Sequence, residues 1–142
     1  ICAMRTDDFV VSIDSLATYY SANMMLLDSA NRGSLFNKNR PVYTKVRDDM
    51  PALYAIDSSV TNSLVSDGCE IKGEVNSSVL GRGVKVEKGA VVKNCVIMQD
   101  CFIGAGAHIE NVIFDKDVVI KPGKTLVGAD DFPIYVGKRI VI

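Results

Sequence analysis

"NCVIMQDCFIGAGAHIENVIFDKDVVIKPG", Asn94 to Gly123, reads almost throughout as strand, yet its asparagines and glycines return on a fixed beat. Ser77, Asn94 and Asn111 are spaced by 17 residues, and so are Gly89, Gly106 and Gly123. The same interval separates Leu80, Ile97 and Phe114; Val84, Cys101 and Val118; Val86, Ile103 and Ile120; and Val92, Ile109 and Leu126. Upstream, Asn62, Val65, Cys69 and Ile71 precede Ser77, Leu80, Val84 and Val86 by 15. From Leu80 onward the large aliphatics step by 6, 6 and 5, and a smaller or β-branched residue follows most of them by four, as at Val84, Ala90, Val96, Cys101, Ala107 and Val118. A helix would place apolar residues at three and four. A half-buried strand would alternate by two along its length. The step of six predicts three short strands per coil, each side giving one aliphatic to a shared interior. Gly81, Gly83, Gly89, Gly104, Gly106 and Gly123 fall at the expected corners, where positive φ costs glycine little.

One such coil cannot bury its inward row alone, so coils must stack. Each fully buried Val, Ile or Leu contributes roughly 1.5–3 kcal/mol, and an unpaired charge in the column would be costly. Lys124 follows Ala107 by 17, which predicts that the regular stack ends at Gly123. The stretches "IGAGAH" and "VLGRGV" resemble the hexapeptide repeat of left-handed parallel β-helices. Handedness comes from that resemblance, because parallel crossovers are otherwise overwhelmingly right-handed. The expected fold is mainly β: a left-handed parallel β-helix from about residue 55 to 128, preceded by an α-helix and an extended linker. The tail containing "FPIYVGKRIVI" is expected to add a strand or cap the last coil.

Ser12 to Asp28 reads as an amphipathic helix, with Leu16, Tyr20, Met24 and Leu27 at helical spacing and Ser12 or Asp14 as cap. Gly33, Pro41 and Pro51 mark the following stretch as a linker with at most a short helix or strand. That division places residues 1–54 in a remnant of a preceding domain plus linker, and 55–142 in the solenoid with its capping tail. From Ser29 to Arg47 the chain carries Arg32, Lys38, Arg40, Lys45 and Arg47 and no acid. These cations, with the pair Lys138–Arg139, are candidates for an anionic ligand, since guanidinium forks suit phosphate. A solvated linker surface is the plainer alternative.

Lys plus Arg, 16, nearly cancels Asp plus Glu, 17, which argues against nucleic acid as the main partner. No apolar run approaches the ~18 residues of a membrane span. Cys2, Cys69, Cys95 and Cys101 form no CxxC pair and one His accompanies them, so free thiols in a reducing cytoplasm are expected rather than zinc ligands. The opening Ile1-Cys2-Ala3-Met4 has no signal-peptide character and suggests a piece of a longer protein.

A helix with "YYSANMMLL", then "RPVYT", then a solenoid with "NSSVLGRGVKVEKGAVVKNCVIM" resembles the C-terminal part of bacterial ADP-glucose pyrophosphorylases, the glucose-1-phosphate adenylyltransferases. Within them the likeness is to the GlgD branch, glycogen biosynthesis proteins that partner the catalytic GlgC subunit. The resemblance implies a cytoplasmic nucleotidyltransferase family that makes ADP-glucose from ATP and glucose 1-phosphate with Mg. It also implies hetero- or homo-oligomers, with a sugar phosphate as a candidate effector. In the catalytic branch an Asp-Val-Gly-Thr stretch, whose Asp helps hold the metal, precedes the helix. Ser12-Ile13-Asp14-Ser15 stand at those places here, and a hydroxyl replaces a hard Mg ligand poorly. No catalytic or metal-ligating residue and no cofactor is therefore assigned to this stretch of chain, and a regulatory and assembly role is expected. The alternative is a hexapeptide acyltransferase with His108 as general base, which leaves "YYSAN" and "RPVYT" without a role.

Overall fold

A computed structural model of the chain describes residues 2–3, 5, 9–44 and 46–142. Fifteen short strands among them wind into five coils of three. Coil 1 holds β1 (Leu53–Tyr54), β2 (Ser59–Thr61) and β3 (Leu64–Val65). Coil 2 holds β4 (Glu70–Ile71), β5 (Glu74–Asn76) and β6 (Val79–Leu80). Coil 3 holds β7 (Lys85–Val86), β8 (Val91–Lys93) and β9 (Val96–Ile97). Coil 4 holds β10 (Phe102–Ile103), β11 (His108–Glu110) and β12 (Val112–Phe114). Coil 5 holds β13 (Val119–Ile120), β14 (Thr125–Val127) and β15 (Ile134–Val136). The coils stack as three parallel sheets: face A (β1-β4-β7-β10-β13), face B (β2-β5-β8-β11-β14) and face C (β3-β6-β9-β12-β15). The solenoid is left-handed.

The register carries the sequence period into space. Lys85 pairs with Phe102 and Phe102 with Val119, a step of 17. Glu70 pairs with Lys85, the step of 15. Two residues, Lys72 and Gly73, join β4 to β5, where four join β7 to β8, so the shortened turn is a shortened A–B corner. The inward rows are dry: Leu80, Val86, Val92, Ile97, Ile103, Ile109, Phe114 and Ile120 are each at most 1% exposed. Burying such rows is what holds the stack together, since a single coil has no interior of its own. Ser78 is buried among them, and its hydroxyl donates to the Asn76 carbonyl (2.7 Å) and accepts from the Cys95 N–H (3.0 Å). The thiols of Cys69, Cys95 and Cys101 are free and buried in the same interior, whereas Cys2 is exposed.

Corners are made in two ways. Asn62, Ser77, Asn94 and Asn111 have φ between 44° and 53°, and Gly89 and Gly106 lie at 73° and 67°. Gly81 and Gly104, expected to supply positive φ, do not have it. A Cβ at Gly104 would instead collide with the backbone of Ile120 and Lys121 at 2.7 Å, so this glycine permits close approach of the next coil.

The ends differ from expectation. The ladder begins at Leu53 and runs past Gly123, because β14 pairs with β11 and β15 with β12. Lys124 is exposed; it lies in the last coil, where its stem can reach water. The tail then returns over the top: Val119 bridges Val141, and the Ile142 side chain packs on the core.

The predicted helix over 12–28 is shorter, α1 (Leu16–Met25), followed by α2 (Ser29–Leu35). Ser15 caps α1 in a box with Thr18, rather than Ser12 or Asp14. Asp14 supports the cap, its carboxylate accepting from the Thr18 hydroxyl at 3.1 Å. The end of α1 is set by Asp28, whose carboxylate accepts from the Ala30 N–H at 2.7 Å and starts α2 instead.

Candidate functional site

Face C is where the N-terminal segment meets the solenoid. Its outward row repeats at 17 through Val79, Val96 and Ile113, the period of the inward rows. Val96 and Ile113 are 3% and 0% exposed, although Ile97 and Phe114 face the interior beside them. α1 packs at β9, over Val96. The Tyr20 hydroxyl donates to the Asn94 carbonyl at 2.7 Å, at the left-handed corner that leads into β9. Burial pushes the Tyr20 hydroxyl up to about 12, with Cys95 and Asp130 adding to it, so it remains a donor throughout the neutral range. One flank of α1, Tyr19 and Asn23, borders a groove of about 250 Å³ with Val79, Gly81 and Lys116. The other flank, Ala17, Tyr20, Ser21 and Met24, faces Asp130, Asp131 and Pro133 across about 300 Å³. Sequence reasoning grouped Val96 with Val84, Ala90 and Cys101; unlike them it faces away from the interior, and its spacing of 17 from Val79 and Ile113 was the signal for a separate row.

The expected cations with described positions have different partners. The Arg32 guanidinium donates to the Leu26 and Leu27 carbonyls at 2.9 and 3.2 Å, closing the end of α1. Lys38 is exposed. Arg40 lines a cavity of about 250 Å³ with Phe9, Ser34, Leu35, Asn37 and Val42. Lys45 lies outside the described residues. Arg47 pairs with Asp49 at 3.4 Å, beside the first A–C corner, where the Gly68 N–H donates to the Met50 carbonyl. Lys138 and Arg139 both reach one oxygen of Asp117, at 4.0 and 3.8 Å. Asp117 turns the same corner higher up, at φ 59°. Asp49 and Asp117 are about four layers apart, roughly 19 Å at the strand spacing, so the two basic groups stand near opposite ends of one edge.

His108 lies on face B between Val91 and Thr125, with its Nε2 3.3 Å from Glu110. Among the described residues no group of three or more His, Cys, Asp or Glu side chains could hold a metal ion. Ser12 is exposed, and Asp14 is engaged with Thr18. Of these two, only Asp14 carries a carboxylate, and it already accepts from Thr18. No helix among the described residues is long and apolar enough to cross a membrane.

Residues 52–132 match the family model described as "GlmU-like, C-terminal hexapeptide". Over 141 residues the chain is 39% identical to the glycogen biosynthesis protein GlgD of Bacillus subtilis, covering 99% of this chain and 41% of that protein. It is 33% identical over 128 residues to a glucose-1-phosphate adenylyltransferase of Deinococcus radiodurans, covering 86% and 31%. A third relative, the glucose-1-phosphate adenylyltransferase of a Parafrankia strain, is 38% identical over 125 residues, covering 83% and 30%. The chain thus spans less than half the length of these relatives. A left-handed stack of hexapeptide coils, a docked "YYSAN" helix and these likenesses agree: the chain belongs to the GlmU-like C-terminal hexapeptide family, as a hexapeptide-repeat region related to GlgD and the glucose-1-phosphate adenylyltransferases.

Proposed function

We propose that this chain is the regulatory and assembly region of a GlgD-type subunit of ADP-glucose pyrophosphorylase, in cytoplasmic glycogen biosynthesis. Residues 1–54 are the end of a nucleotidyltransferase domain plus its linker, and 55–142 are the β-helix with its capping tail. The region itself carries no chemistry. Mg and ATP belong to the complete enzyme, where a catalytic GlgC-type subunit makes ADP-glucose from ATP and glucose 1-phosphate. The observation that carries this reading is the 39% identity to GlgD, which runs over 141 residues through helices and solenoid alike.

Two structural features support it. α1 ties the preceding polypeptide to face C through Tyr20 and Asn94, giving the solenoid a mechanical link to whatever lies upstream. Ser12, where the catalytic branch has a carboxylate, supports a subunit that does not hold the metal. Arg32, Lys38, Arg40, Lys45, Arg47, Lys138 and Arg139 remain the candidates for a sugar-phosphate effector. Among the described ones, Arg47 and the Lys138–Arg139 pair stand near opposite ends of one edge, so a single ligand would not take both. Arg32 is the weakest candidate, since its guanidinium already caps α1.

The test is association. The full-length protein is mixed with its catalytic partner and sized by light scattering, with and without residues 53–142. A mixed oligomer that disappears on truncation is expected; partners that remain apart, or a truncated protein that still assembles, would refute the assembly role.

A further inference from the structure

We propose that α1 is a latch, a helix that docks on face C and leaves it as a unit, held closed by Tyr20 on Asn94. Ten residues of helix are marginal in water without a partner surface. Ala22 is the one buried residue of α1, while Leu16 and Met25 are 50% and 43% exposed. Its polar tie to the solenoid is the 2.7 Å bond from Tyr20. On the solenoid it contacts β9, where Val96 faces outward. The coils beneath are joined by continuous backbone ladders and by dry inward rows. Elements with few buried contacts open at lower free energy than the core they sit on.

The loop at 129–133 borders the helix without closing on it. On face C, Val79 pairs with Val96 at the regular step of 17, but Val112 pairs with Ile134, a step of 22. The five extra residues sit beside α1. Asn111, 4% exposed, fixes them by donating to the Gly128 carbonyl at 3.1 Å and to the Asp130 carboxylate at 2.8 Å. Asp130, Asp131 and Pro133 then face Ala17, Tyr20, Ser21 and Met24 across the 300 Å³ gap. A gap of that size forfeits the dispersion contacts that close packing would supply, so helix and loop separate at small cost. In a GlgD-type subunit the latch would relay between the solenoid and the preceding domain; that consequence rests on the proposed function, whereas the latch itself does not.

Amide hydrogen exchange on the whole chain tests it. Amides of 16–25 should exchange together and well ahead of those in β9 and β12. Tyr20→Phe keeps the ring and removes the hydroxyl. It should raise the opening of 16–25 about fivefold, the equivalent of ~1 kcal/mol for one hydrogen bond, and leave β9 and β12 unchanged. Tyr20→Ala removes the ring as well and substitutes a strong helix former, so it should speed exchange in 16–25 further without weakening the helix itself. The proposal is overturned if either variant leaves that exchange unaltered, or if β9 and β12 open in step with α1. No partner subunit is needed, so a failed association experiment and a failed latch are separate results.

Discussion

Phe114 is the largest fully buried side chain of the inward rows, so Phe114→Ala should cost about 3–5 kcal/mol in chemical denaturation. The two kinds of corner glycine predict different failures. Gly106 has φ 67° and open space around a Cβ, so Gly106→Ala should cost about 1–2 kcal/mol through backbone strain alone. Gly104→Ala should cost more, because its Cβ meets the backbone of the next coil; equal losses in urea melts would contradict that distinction. The buried thiols predict a pH effect. Burial pushes Cys95 up to about 12 and Cys101 up to about 11, and both return to ordinary values in the unfolded chain. The folded state then holds protons that the unfolded state has lost. Stability is therefore complete below about pH 8.5, the ordinary thiol value, and declines as pH rises toward 11–12, by at most ~1.4 kcal/mol per pH unit and thiol. Cys95→Ala should flatten that alkaline decline, and an unchanged slope in pH-dependent melts would show that other groups cause it.

At the scale of elements, the left-handed corner through Asn62, Ser77, Asn94 and Asn111 favours residues that tolerate positive φ. Asn94→Val should cost about 2 kcal/mol or more and loosen α1, since the Asn94 carbonyl receives Tyr20; Asn94→Gly should be nearly neutral in the same melts. The coils were legible because each inward side chain must be apolar on every layer, which writes the period directly into Leu80, Ile97 and Phe114. α1 was legible as a helix but not in its extent or its apolar face: Ala22 is its buried residue, Leu16 is 50% exposed and Leu27 lies beyond its end. Ser12, Asp14 and Ser15 are all good caps, and only the contact with Thr18 decides among them. The top of the stack was misjudged at Lys124, because a charge that would be forbidden between coils is tolerated on the last one. The outward row Val79, Val96 and Ile113 was written in the same period, but a row facing outward has no meaning until the helix that packs at β9 is placed. The cations could be counted from the sequence but not located, since a charged side chain carries no periodic signal of its partner.

The whole molecule has unlike ends. Its top is closed by Ile142 and by β15. At the bottom Tyr54 is in register with fully buried Ile71 yet is 50% exposed, and Met50 and Ile56 beside it are 81% and 102% exposed. An end of this kind suits contact with other protein, in keeping with the proposed assembly role. The central claim is that the protein to which this chain belongs regulates ADP-glucose synthesis without performing it. The most direct measurement is ADP-glucose formation from ATP and glucose 1-phosphate by the full-length protein, alone and mixed with its catalytic partner, with and without sugar phosphates. The account predicts no product from the protein alone and a changed rate or sugar-phosphate response in the mixture. Strong activity from the protein alone would contradict it and would show that Ser12 does not disable the metal site.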